Sequence, residues 1–190
     1  MSLSADVEYA NKLALKWIIN DHSNNPSDYN LNDNVLRQEI AAVARWVYES
    51  RLWKEIWSLK KTTCDNIFSD VSSTNPNTWA CYSIESLVDN DLIAKNTNFR
   101  PEDKITKAES LGMLIKAIWF EYSYNSNLNT SWQEQIVDFS VKNWVISNFD
   151  DYDTQATRWW IFEVANHVIR VHETRQTEKK KQETISGEVL

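Results

Sequence analysis

Apolar positions recur along the chain at helical spacing, in two kinds of segment that alternate. In the first kind, residues 5–19 put Val7, Ala10, Ala14, Trp17 and Ile18 on one face. Residues 79–93 do the same with Ala80, Ile84, Leu87 and Val88, and residues 132–146 with Ile136, Phe139, Ser140 and Trp144. These three segments end alike, in "WII", "DLI" and "WVI". In the second kind the stripe is strict. Ile40, Val43, Ala44 and Val47, then Leu111, Leu114, Ile115 and Ile118, then Ile161, Val164, Ala165 and Val168 all fall at i, i+3, i+4, i+7. That spacing is the buried face of a packed helix. The pattern predicts an all-α chain of six helices.

The polar stretches between the paired helices also repeat. "YNLNDNVLRQE", "FRPEDKITKAE" and "FDDYDTQATRWW" each open on an aromatic residue and reach a basic residue just inside the next helix: Arg37, Lys107 and Arg158. The reading is therefore one helix–loop–helix unit used three times, over residues 1–60, 61–125 and 126–175. A polar stretch at 176–190 follows as a frayed helix end, tail or linker. One helix pair cannot bury both its faces, so three should share a core. Pseudo-threefold packing is the natural closed arrangement.

Composition narrows the function. With 190 residues and 42% hydrophobic content the chain can bury a core. Two Gly and three Pro favour helices over sandwiches or barrels. A net charge of −7 argues against nucleic acid as a partner. No apolar run has the length of a membrane helix, and no signal peptide opens the chain, so it reads as cytosolic or as a mature or excised part of a secreted protein. No nucleophile triad, phosphate loop or metal set is visible, so no catalytic residue and no cofactor is expected. Cys64 and Cys81 bound a polar loop and read either as two reduced thiols or as one disulfide. His22, His167 and His172 are scattered, and no spacing fits a zinc site. The acidic run 148–153 lacks the Gly and distal Glu of an EF-hand and reads as a solvated loop.

Thr106 to Glu109 reads as a capping box, with Glu39 and Glu109 as capping residues. A cation at the first helical position works against the helix dipole. Arg37, Lys107 and Arg158 all occupy that position. Two readings remain open: an anion held by the side chain together with the helix amides, or an ion pair to a neighbouring unit, for example at Asp89 or Asp91. Trp79 and Trp132, each at the first turn of a helix, read either as core or as stacking surfaces for a sugar ring.

These elements resemble the S-layer homology (SLH) family. The middle unit carries them in order: "FSDV" (68–71), Trp79, "DLI" (91–93), "FRP" (99–101) and "ITKAE" (105–109). The first unit keeps "RQE" (37–39) with Leu36 at the capping position. The third keeps "TR" (157–158) and has Trp160 where the Glu belongs. The Gly usual before the final Ile pair is replaced by Trp17, Asp91 and Trp144. The resemblance implies three SLH repeats packed as a pseudo-threefold trimer of prongs. It implies a non-catalytic anchoring module, outside the cell at a bacterial surface, cell wall or S-layer. Its implied partner is a secondary cell-wall polysaccharide, pyruvylated or otherwise acidic, or a peptidoglycan-linked polymer. Arg37, Lys107, Arg158, Trp79 and Trp132 are then the ligand-binding candidates. An extracytoplasmic module also implies the Cys64–Cys81 disulfide. The alternative is an SLH-like protein–protein assembly module that has lost its glycan site and contacts other surface-layer subunits.

Overall fold

The computed structural model describes residues 5–15, 19, 25–51, 63–74, 79–119 and 122–187. Trp17, Ile18 and His22 lie outside them. Six α-helices are present and no strand occurs among the described residues. They are α1 (Ala5–Leu15), α2 (Arg37–Arg51), α3 (Cys81–Asp89), α4 (Lys107–Ile118), α5 (Trp132–Lys142) and α6 (Arg158–Gly187). The strict stripes form the centre: every apolar residue read into them on α2, α4 and α6 is buried. These three helices contact one another, α1 lies on α6, α3 on α2 and α5 on α4.

The helix ends follow from local chemistry. Arg37, Lys107 and Arg158 are each the first helical residue. At Thr106 the capping box is complete: the hydroxyl accepts from the Glu109 amide at 3.2 Å, and the Glu109 carboxylate accepts from the Thr106 amide at 3.1 Å. Leu36 cannot cap, but Glu39 still accepts from the Leu36 amide at 2.7 Å. Ser131 caps α5 through the Glu134 amide.

The alternate helices stop short of their predicted ends. α3 closes at Asp89 and α5 at Lys142, not at Ile93 and Ile146. The chain turns through Asp91 (φ 57°) and Trp144 (φ 62°). The amides of Leu92 and Val145 reach back to the carbonyls of Leu87 and Ser140 at 2.8 and 2.9 Å. This is the helix-ending turn that needs a left-handed residue. Both are the positions at which the sequence resemblance leads to an expectation of Gly. The turn also swings Trp144 off the predicted stripe, leaving it 83% exposed. At the other end of the chain, the stretch read as a frayed helix end, tail or linker continues α6 to Gly187, exposed from Glu173 to Thr184.

Three extended segments ahead of α2, α4 and α6 meet in a ring. The Val35 amide donates to the Ala156 carbonyl, Ala156 to Ile105, and Ile105 back to Val35, at 2.9, 2.9 and 3.0 Å. Each helix has an orphan first amide, and a neighbouring loop satisfies it. Arg37 donates to Asp103, Lys107 to Thr154 and Arg158 to Asp33. The ring puts the first turn of each central helix against the next.

Candidate functional site

Three grooves open where these first turns meet. The basic residue of one helix faces the third helical position of the next. Arg37 donates to the Glu109 carboxylate at 2.8 Å and to the Phe99 carbonyl at 2.9 Å. Its guanidinium lies 5.1 Å from the centre of the Phe99 ring. Arg158 closes in the same way on the Glu39 carboxylate. Each Glu thus serves twice, capping its own helix with one oxygen and taking a neighbour's cation with the other. The partners are these capping glutamates, not Asp89 or Asp91.

Lys107 is different. The residue it faces at the third position is Trp160, which cannot accept a charge. Among the described residues Lys107 has no ion pair within 4.0 Å. It lines a groove of about 430 Å³ with Trp144, Phe149, Trp159, Trp160, Glu163 and His167. Trp160 is held edge-on by Phe149, ring centres 6.1 Å apart. The cation here is set against aromatic walls.

The candidate tryptophans fall into the other two grooves. Trp79 is 58% exposed and lines a groove of about 260 Å³ with Arg158, Glu39 and Trp46. Trp132 is 40% exposed and lines a larger groove of about 600 Å³ with Arg37, Phe99, Glu109 and Lys116. Neither is core. Trp144 and Trp160 were not singled out as site residues. The signal for Trp160 was present in the sequence as the Glu missing from the third unit. It reads locally as a defect beside Arg158, but the ring transfers its consequence to Lys107.

The geometry also changes how an anion could be held. The first amide of α4 already donates to Thr154 and the third to Thr106. An anion at Lys107 therefore meets the side chain and not the run of helix amides that the sequence suggested. The Asp-rich loop supplies Thr154 to this contact, and Thr154 is itself bonded to Asp151. Its carboxylates Asp150, Asp151 and Asp153 are exposed. Desolvation, and after it the charges of Glu134, Asp138 and Asp150, push the Tyr152 phenol above its ordinary range.

Cys64 and Cys81 are joined by a disulfide, with Cα atoms 5.9 Å apart. It pins the loop before α3 to the start of that helix. None of the described helices is long and apolar enough to cross a membrane.

No family model matches the chain. Part of it is similar to Protein TMA108 of Saccharomyces cerevisiae, 28% identical over 132 residues, which cover 63% of this chain. The chain spans 14% of the length of that curated relative. The relative is a eukaryotic protein, and this overturns the designation as a secreted S-layer or cell-wall protein and the placement at a bacterial surface. The physical reason is that the motifs behind that expectation are helix-start and helix-stop devices. A capping box and a left-handed turn specify where a helix begins and ends; they carry no information on compartment.

Proposed function

We propose that the chain is a non-catalytic binding module that takes an acidic saccharide in the groove around Lys107. Its three helix–loop–helix repeats close as a pseudo-threefold set of prongs, each pairing the second helix of one repeat with the first helix of the next. The cyclic hydrogen bonds among Val35, Ile105 and Ala156, and the seating of α1 on α6, support this closure. One observation carries the ligand reading. Of three cations at equivalent helix starts, two are neutralised by a glutamate, and the third faces tryptophan in a groove large enough for a sugar ring. Aromatic faces suit the apolar side of a sugar, and the ammonium suits its carboxylate.

The test is binding to a panel of uronate-bearing, ketal-carboxylate-bearing and neutral oligosaccharides. Retention of the acidic sugars, weakening with salt, is the expected result. Equal retention of neutral sugars, or affinity unaltered in Lys107→Ala, overturns the proposal.

A second reading is a protein–protein module. It is favoured by the groove at Trp79, where Arg158 is closed onto Glu39 and Trp46 and Trp79 stand exposed. Self-association measured by sedimentation and lost in Trp79→Ala would support it.

A further inference from the structure

Cys64, Cys81 and Glu85 form a second constellation, which shares no residue with the lining of the Lys107 groove. We propose that when the disulfide is reduced these three side chains bind a thiophilic divalent cation, with zinc as the type case, so that the same cross-link is kept by a metal. Cys81 and Glu85 lie one turn apart on α3, the spacing that sets two ligands on one helix face. The two sulfurs and a Glu85 oxygen all lie within 4.8 Å of one another. Glu85 Oε1 is 3.8 Å from the Cys64 sulfur. Zinc holds sulfur at about 2.3 Å and oxygen at about 2.0 Å, so tetrahedral ligands of these kinds sit about 3.5 Å apart. The carboxylate already stands near that separation.

Two features make the site preformed. Glu85 is fully buried and its oxygens accept from the amides of Asp65 at 2.7 Å and Ile67 at 2.9 Å. Those bonds hold the Cys64 loop on α3 independently of the disulfide. Only the sulfurs must part, from about 2 Å to about 3.8 Å, which side-chain rotation of Cys64 in its loop allows. Three protein ligands leave a fourth position for water.

The chemistry balances in two steps. A phosphine reductant cleaves the S–S bond, water supplying the two thiol protons and the oxygen of the phosphine oxide. Zinc then displaces both thiol protons to give two metal–thiolate bonds, and the released protons appear in the buffer. Neither step draws on the Lys107 groove, so the proposal stands apart from the saccharide reading.

The experiment uses the full chain reduced with a phosphine and titrated with cobalt(II), then zinc. Expected are one cobalt per chain, a sulfur-to-cobalt charge-transfer band, bands of tetrahedral cobalt, and their loss on adding zinc. The oxidised chain should show none of these. Glu85→Gln should weaken zinc by at least the ten- to hundredfold seen for loss of an outer-shell partner. Cys64→Ser covers the case in which Glu85→Gln fails to fold, and it should abolish the two-thiolate band. A reduced wild-type chain that shows no charge-transfer band overturns the proposal. So does cobalt affinity that is equal in the reduced wild type and Cys64→Ser. A reduced chain that unfolds, and whose helical circular dichroism zinc does not restore, overturns it as well.

Discussion

Three residues that look interchangeable in sequence have separate physical roles. Arg37 is mostly buried and spends its donors on Glu109 and the Phe99 carbonyl. Arg37→Ala should therefore destabilise the fold by about 1.5–3 kcal/mol, the worth of hydrogen bonds to charged groups. For a chain of this size that is a fall of several degrees in melting temperature. Lys107→Ala should do the reverse. It removes a helix-start cation that has no ion pair among the described residues, so thermal stability should hold or rise slightly, while affinity for an acidic saccharide should drop about tenfold to a hundredfold. Calorimetry and thermal melts on the two variants separate the roles. Equal melting losses in both would mean that Lys107 is structural. Trp144 adds a further residue-scale test. A bulky residue at φ 62° is strained where Gly would not be. Trp144→Gly should raise stability by about 0.5–1 kcal/mol in urea unfolding and weaken saccharide binding, since the exposed indole forms the groove rim.

At the scale of elements, the helix starts were legible because capping is local. Thr106 and Glu109 satisfy each other within four residues, and no distant contact is needed to read them. Thr106→Ala should cost about 1 kcal/mol of stability, checked by the shift in urea midpoint. The helix ends were less legible. The apolar run continues through Leu92–Ile93 and Val145–Ile146, so periodicity alone extends α3 and α5. The missing glycines hid the stop: Asp91 is a residue that tolerates the left-handed turn, but Trp144 adopts it with a bulky side chain that disfavours it. The surrounding packing of Leu92 and Val145, both buried, overrides that preference. The disulfide belongs to this scale too. It spans 17 residues, and by chain entropy its reduction should lower stability by about 3 kcal/mol. Unfolding with and without a phosphine in the presence of a chelator measures this.

For the whole molecule, closure sets what the site can be. The ring hands each basic residue to the glutamate of the next helix, so one substitution, Trp160, changes a groove built mainly around another helix's start. Restoring the missing carboxylate makes a test at this scale. Trp160→Glu should place an ion pair against Lys107 like that of Arg37 with Glu109. It should lower affinity for an acidic saccharide in calorimetry as strongly as Lys107→Ala does, without touching Lys107 itself. Unchanged affinity would show that the first turns do not act through the ring.

The chain's own pattern determined the six helices, the buried stripes of α2, α4 and α6, and the three first-turn cations, because periodicity and capping operate over a few residues. Tertiary structure alone decided which cation is neutralised. The Arg37–Glu109 and Arg158–Glu39 pairs join residues 72 and 119 positions apart, and nothing local to either partner specifies them. It also decided that Trp79 and Trp132 stand in grooves and that Glu85 meets the two cysteines. Exposure and ligand geometry depend on where distant segments pack, and that information resides in the ring and its core.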